Sequence, residues 1–168
     1  MFRSIMIEKK IHCFSISDDI KFFKDDLIKE CIDQRKQEES GCNFKLQTKH
    51  LEKLYDIFID CNKKILKPHT IKHDVLKVWC YITDENYNTT GWHNHTKTAT
   101  INAVIYLQTK NKGIFFRHKK EHLFVQPSDG DMLIFPAYLE HKPEPSFTDK
   151  RISLNLELCC NESEEYIF

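Results

Sequence analysis

The sequence has few glycines and no long apolar run. Its 168 residues include four glycines, and neither G-x-G-x-x-G nor a P-loop pattern occurs, which excludes a glycine-rich phosphate loop. No apolar stretch approaches the roughly 18 residues that a membrane-spanning helix needs. The first ten residues also lack the sustained apolar segment of a signal peptide. We therefore expect a protein with neither a membrane span nor a signal peptide.

Neither sign of charge is in excess. The 25 lysines and arginines balance 25 aspartates and glutamates, so the composition gives no strong signal for nucleic-acid binding or for a membrane surface. The seven cysteines are irregularly spaced and form no C-x-x-C motif. An odd number of such cysteines is typical of reduced thiols. We predict a cytoplasmic protein.

The length is that of one domain, which we expect to cover residues 1–168. Apolar residues spaced by three and four predict helices over 18–38 and 49–66, a helical layer of about 18–66. Short β-prone runs then predict a β core of about 75–158. These runs cover residues 75–82, 100–107, 113–117, 123–126, 131–135 and 151–158, and a further strand is predicted within 5–16. Strands this close together leave no room for crossover helices, so we expect an antiparallel sandwich or barrel with two helices packed on one outer face.

Three histidines form a candidate metal site. His93 and His95 are two positions apart, so an extended backbone projects both imidazoles to the same side. Two neutral nitrogens suit Fe, Zn, Ni or Cu better than Ca or Mg. His141 follows a turn and an apolar run at residues 130–136, which would bring it to the mouth of the barrel. The alternative is that the pair is simply exposed or hydrogen-bonded.

The last predicted strand has a polar face. Arg151, Ser153 and Asn155 alternate with Ile152, Leu154 and Leu156. If the polar face points into the barrel, the buried Arg151 needs an anionic partner, and its guanidinium matches a carboxylate. The alternative is that Arg151 pairs at the surface with an acid such as Glu140 or Asp149.

Together these residues resemble the 2-oxoglutarate/Fe(II) oxygenase superfamily, whose scaffold is the double-stranded β-helix. The superfamily pattern is His-x-Asp/Glu, a later His, and an Arg about ten residues beyond it, often followed by Ser at Arg-x-Ser. Here Arg151 lies ten residues after His141, with Ser153 in the serine position. Residues 130–136 are similar to the family's G-D-x-x-x-F-P stretch, and residues 101–107 to its strand ending in Tyr-Leu. The resemblance covers about 75–158 and is nearest to short uncharacterised oxygenases of phages and marine bacteria.

The resemblance implies an enzyme that uses Fe(II), 2-oxoglutarate and O₂ to hydroxylate a substrate, releasing succinate and CO₂, with ascorbate as an accessory reductant. His93, His95 and His141 would bind the metal. The implied cosubstrate residues are Arg151, Ser153, Asn102 and Tyr106, a tyrosine that contacts 2-oxoglutarate in prolyl-hydroxylase-like members. Trp92 and Asn94 are candidates for the substrate entrance, with core packing as the alternative role for Trp92.

His95 departs from the pattern, because it stands where the family usually has Asp or Glu. Fe(II), one carboxylate and dianionic 2-oxoglutarate sum to one negative charge, whereas three neutral histidines leave the sum at zero, which would shift the iron potential. Asn94, Glu140 or a water could instead complete the metal sphere. Two other functions remain open: a three-histidine cupin-type dioxygenase that does not use 2-oxoglutarate, and a non-catalytic cupin-like binding protein.

Overall fold

A computed structural model of the chain describes residues 7–36, 43–72, 76–83, 91–146 and 150–168. The strands within these ranges are β1 (His12–Ser15), β2 (Asn43–Lys45), β3 (Val78–Thr83), β4 (Ile101–Gln108), β5 (Ile114–His118), β6 (Glu121–Val125), β7 (Asp131–Pro136), β8 (Glu140–Pro143) and β9 (Arg151–Leu158). The helices are α1 (Ser17–Ile20), α2 (Lys24–Arg35), α3 (Leu51–Ile65) and α4 (Glu164–Ile167), and a 3₁₀ turn spans Ile7–Lys10.

The strands form two antiparallel sheets. The larger sheet has the order β1-β7-β4-β9-β3-β2, and the smaller has the order β6-β5-β8. A backbone bridge between His93 and His141 extends the smaller sheet beyond β8. Strands distant in sequence alternate within the larger sheet while the smaller sheet faces it, which is the double-stranded β-helix arrangement. The predicted fold, with helices on one face of the β-structure, is confirmed.

One side of the larger sheet packs against the helices. The amphipathic α3 buries Leu54 and Phe58, and α2 buries Leu27. These side chains share one apolar cluster with outward-facing sheet residues such as Ile105 and Leu154. Burial of this cluster supplies the main apolar stabilisation of the fold. Among the described residues, no helix combines the length and the apolar character needed to cross a membrane.

The helix predicted over 18–38 is divided into two. α1 ends at Ile20, residues 21–23 form a turn, and α2 begins at Lys24. Ile20, Phe23 and Leu27 are nevertheless all buried, so the apolar spacing that predicted a continuous helix is also satisfied across the turn. Residues 37 and 38 of the predicted helix lie outside the described residues.

The other side of the larger sheet faces the smaller sheet. Along β4, Ile105 belongs to the helix-side cluster, whereas Val104 and Tyr106 belong to a second apolar cluster between the sheets, together with Phe116 and Phe135. This second cluster borders a cleft of about 1530 Å³. The three histidines, Arg151 and Ser153 are among the residues that line the cleft.

Candidate metal and cosubstrate site

The rings of His93, His95 and His141 lie together at the cleft. Backbone hydrogen bonds join His93 N to His141 O at 3.2 Å and His141 N to His93 O at 2.9 Å. The ring centroids of His93 and His141 are 4.4 Å apart, those of His95 and His141 5.2 Å, and those of His93 and His95 5.4 Å. One ring nitrogen from each residue lies within 4.8 Å of the others. Such a spacing allows all three to reach a single ion at about 2 Å.

Each ring is held through its Nδ1. His93 Nδ1 lies 3.0 Å from Gly91 O, and His141 Nδ1 lies 3.0 Å from Leu139 O. Carbonyl oxygens only accept, so both Nδ1 atoms carry the proton and donate. His95 Nδ1 lies 2.6 Å from Glu157 Oε1. Each Nε2 is thereby left as the lone-pair nitrogen, as in metal-binding histidines whose other nitrogen is hydrogen-bonded.

Burial favours the neutral form of His141 and of His93. It lowers the pKa of His141 to about 3, with a further contribution from the positive charge that His93 can carry. Burial also lowers the pKa of His93. Burial raises the pKa of the Glu157 carboxyl, but the hydrogen bond from His95 and other donors outweigh it, so this pKa lies below its usual value. A neutral imidazole is the form that binds a metal.

Arg151 lies at the inner end of the cleft with part of its guanidinium unpaired. The residue is 1% exposed, and its Nε and Nη1 have no hydrogen-bond partner among the described residues. Glu140, one candidate partner in a surface pair, instead binds Arg117 through two bonds of 2.8 and 3.0 Å. Asp149, the other candidate, lies outside the described residues. The inward orientation leaves a buried cation that favours an anionic ligand.

Other polar side chains lie on the inner faces of β4 and β9, and those of Tyr106 and Ser153 are close to Arg151. The ring centroid of Tyr106 is 5.3 Å from the guanidinium carbon, and burial raises the pKa of its hydroxyl to about 12 although Arg151 opposes the shift. Ser153 is buried on the same face of β9 and lies opposite Tyr106. Asn102 is fully buried on β4, and neither polar atom of its amide has a partner within the described ranges. All four residues proposed from the sequence therefore point into the space between the sheets.

Two further residues of this site were missed in the sequence. Thr83 lies opposite Arg151 on β3, is fully buried, and its hydroxyl lacks a partner in the described part of the chain. Glu157 holds His95. The polar alternation of Arg151, Ser153 and Asn155 extends directly to Glu157, so continuing that pattern by one step would have found it. No local pattern singles out Thr83, because its role depends on the pairing of β3 with β9.

Trp92 and Asn94 line the outer part of the cleft. The Trp92 ring contacts two cations on the outer side of the smaller sheet, Arg117 at 4.4 Å and Lys142 at 5.0 Å. Asn94 is exposed, and its side-chain oxygen accepts a hydrogen bond from Thr96 at 3.0 Å. Asn94 and Glu140 thus have other partners. Within the described ranges, the side chains that meet as potential metal ligands are the three histidines.

No protein-family model matches the sequence, and no curated protein matches it either. Solved structures do match. A prolyl 4-hydroxylase from Pseudomonas putida superposes with a TM-score of 0.63 at 12% identity, covering 91% of this chain and 94% of its own. A viral collagen prolyl hydroxylase from Paramecium Bursaria Chlorella virus-1 gives 0.57 at 14% identity, covering 93% and 94%.

A prolyl 4-hydroxylase from Phytophthora capsici gives a TM-score of 0.64 at 12% identity and 92% coverage of this chain. The chain spans 60% of that Phytophthora protein. At 12–14% identity, these matches show that the chain shares the fold of these structures. The chain therefore has the double-stranded β-helix fold that is found in these prolyl hydroxylases, with a cluster of three histidines in its cleft.

Proposed function

We propose that the protein is an Fe(II)- and 2-oxoglutarate-dependent oxygenase that hydroxylates a substrate bound in the cleft. The observation that carries this proposal is the buried Arg151 guanidinium, whose Nε and Nη1 have no partner among the described residues, in the same cleft as three clustered histidines. A metal site alone would not require a buried arginine whose Nε and Nη1 lack partners in the described part of the chain. A ligand with a carboxylate for Arg151 and donor atoms for the metal accounts for both features.

We assign the metal to His93, His95 and His141. Three imidazole nitrogens suit iron(II), and the bonds to Gly91, Leu139 and Glu157 already fix the ring orientations. When bound, Fe(II) and 2-oxoglutarate together supply the chemistry that couples O₂ reduction to C–H hydroxylation with release of succinate and CO₂; ascorbate would keep the iron reduced.

We assign binding of the distal carboxylate to Arg151 and Ser153. A guanidinium can hold a carboxylate through two parallel hydrogen bonds, and a serine hydroxyl can add another. Burial raises the pKa of the Tyr106 hydroxyl to about 12 and keeps it protonated. The hydroxyl can therefore donate a hydrogen bond to the cosubstrate. Asn102 is proposed as a further cosubstrate residue; it lies opposite Glu157 on β9, toward the histidines. These residues fix the orientation of the cosubstrate before the reaction begins.

Trp92 and Asn94 are proposed to border the substrate entrance, because both line the outer part of the cleft. We also propose that residues 1–168 act as one domain in the cytoplasm. The described cysteines, at 13, 31, 61, 80, 159 and 160, form no disulfide bond with one another, which agrees with a reducing compartment.

The proposal is tested by titrating 2-oxoglutarate into the anaerobic Fe(II) protein and by measuring succinate formation in air with ascorbate. Arg151→Ala should weaken 2-oxoglutarate binding by about 100-fold or more, since it removes the charged partner of a buried carboxylate. His141→Ala should weaken iron binding and abolish succinate formation. Arg35→Ala removes an arginine from helix α2 and should leave both measurements unchanged.

The outcomes separate the competing functions. If wild-type protein binds iron but not 2-oxoglutarate, a three-histidine dioxygenase without that cosubstrate is favoured. If it binds no divalent metal at micromolar concentration, a non-catalytic cupin-like protein is favoured. Succinate formation that is indifferent to both substitutions would remove the proposed assignment of His141 and Arg151.

A further inference from the structure

Glu157 connects the candidate metal site to β9. Its Oε1 accepts a hydrogen bond from His95 Nδ1 at 2.6 Å, shorter than the 3.0 Å bonds to the backbone carbonyls at His93 and His141. The side chains of His95 and Glu157 are 17% and 21% exposed. A short bond to a carboxylate in a partly buried setting is stronger than a bond to a neutral carbonyl.

Glu157 is held through both its side chain and its backbone. Asn155 Nδ2 lies 3.4 Å from the same Oε1. The backbone of Glu157 is paired with Asn102 of β4, and its carbonyl lies 3.1 Å from the hydroxyl of Tyr55 on α3. These contacts fix the backbone of Glu157 and give its carboxylate a second donor beside His95. The His95 ring is therefore oriented by the core of the sheet, although the loop that carries it lies at the edge of the cleft.

The charge of the candidate ligand set gives this carboxylate a second role. Three imidazoles bring no negative charge to a divalent ion, and within the described ranges no acidic side chain joins them as a potential ligand. Glu157 places one negative charge immediately behind His95. Through the shared proton, that charge makes Nε2 of His95 a better electron donor than either of the other two histidines.

We propose that Glu157 is a positioning residue that acts through His95: it fixes the tautomer of this ligand and supplies the negative charge that the three histidines lack. This inference rests on the metal site proposed above and extends it. The charge should strengthen binding of a divalent cation. It should also stabilise Fe(III) more than Fe(II), because the attraction grows with the charge on the ion, and so lower the potential of the iron.

The decisive variant is Glu157→Gln, whose side-chain oxygen can still accept the bond from His95 while its charge is absent. Cobalt(II) and iron(II) affinities and the Fe(III)/Fe(II) potential would be measured under anaerobic conditions without 2-oxoglutarate. We expect Glu157→Gln to bind each metal about 10- to 100-fold more weakly and to have a higher iron potential than wild type. Glu157→Ala, which removes the acceptor as well, should bind metal more weakly still.

Glu144→Gln is the matched control. Glu144 is exposed to a similar extent, 27%, and also accepts a hydrogen bond, from Gly113 N at 2.8 Å, but it does not contact the histidines. This substitution should change metal affinity by less than about twofold and should leave the iron potential unshifted. Unfolding of each metal-free variant shows whether a loss of affinity reflects a loss of fold.

The inference is overturned if Glu157→Gln binds metal and sets the iron potential as wild type does, since Glu157 would then only pack against His95. It is also overturned if the wild-type protein binds neither metal. Failure of the oxygenase function gives a different result: metal binding would still depend on Glu157 while 2-oxoglutarate binding and succinate formation would be absent.

Discussion

Strand β9 borders two buried regions of the molecule, one on each face. On its outer face, Leu154 is fully buried among the apolar side chains of the helices and of the larger sheet. On its inner face, Arg151 is 1% exposed and Ser153 is 3% exposed. The two regions differ in their contacts rather than in their burial, because the outer side chains are packed whereas the Arg151 guanidinium has N–H groups without partners among the described residues.

The two faces of β9 differ in their effect on stability: the outer residues stabilise the fold, whereas Arg151 on the inner face lowers its stability. Apolar burial on the outer face contributes to stability, whereas an unpaired buried cation on the inner face costs stability. A stable fold does not require such a cation, and the proposed carboxylate ligand would complete the inner region. The predictions below change one region and then the other.

The largest difference is expected between Leu154→Ala and Arg151→Met. Leu154 lies opposite Cys80 and Ile105 on the adjacent strands, and its truncation should lower the free energy of unfolding by about 2–5 kcal/mol. Arg151→Met keeps most of the side-chain volume and removes a buried charge whose Nε and Nη1 lack partners within the described ranges, so the free energy of unfolding should not fall. Urea unfolding of the metal-free proteins measures both. A loss of more than about 2 kcal/mol in Arg151→Met would show that the guanidinium is satisfied within the protein.

The second prediction concerns pH. Because burial lowers the pKa of His141 to about 3 from its ordinary 6.5, the unfolded chain takes up the proton first, and the stability gained from neutral His141 is lost as pH falls below about 6.5. Between pH 7 and pH 5 this loss amounts to about 2 kcal/mol in the metal-free protein. It would be measured as the change in unfolding free energy between these two pH values, in the presence of a chelator.

The contribution of His141 is obtained by comparing the pH dependence of the unfolding free energy in the wild type with that in His141→Gln. Glu164 acts in the opposite direction, because burial raises its pKa to about 7 and the folded protein then gains stability as pH falls. Both proteins contain Glu164, so subtracting their curves isolates His141. Equal pH dependence in the wild type and His141→Gln would contradict the assigned burial effect.

Period-2 and period-3.6 patterns predicted much of this architecture. The alternation along β9 predicted its two faces because successive residues of a strand point to opposite sides. The apolar spacing of residues 49–66 predicted α3, and Pro68 follows shortly after the end of the helix, where proline cannot continue it. The division between α1 and α2 was not predicted, since Phe23 keeps the same apolar spacing while occupying a turn.

Features that depend on long-range pairing could not be read from the sequence. Residues 140–143, Glu-His-Lys-Pro, have no strand pattern, yet they form β8 because β5 supplies hydrogen bonds to them. The contact between His95 and Glu157 likewise joins positions 62 apart in sequence. The sequence could suggest which residues carry the site, whereas the partner that holds each of them depends on the pairing of the sheets.

The smallest effect is expected for Tyr55→Phe. Tyr55 links the helix layer to β9, the strand that carries Glu157. Its hydroxyl donates to Lys77 O at 2.7 Å and lies 3.1 Å from Glu157 O. Tyr55→Phe removes these bonds without changing the packing of the ring, so the free energy of unfolding should fall by about 1 kcal/mol. Tyr166→Phe is the control, because Tyr166 is 49% exposed and its substitution should have almost no effect.

The same pair of variants tests how far the inner region depends on the helix layer. Tyr55 binds the backbone of Glu157 rather than its carboxylate, so Tyr55→Phe should leave cobalt(II) affinity within about twofold of wild type if β9 alone holds the carboxylate against His95. A larger loss of metal affinity, at an unfolding cost of only about 1 kcal/mol, would mean that the helix layer positions Glu157 and that the two regions are coupled through this hydroxyl.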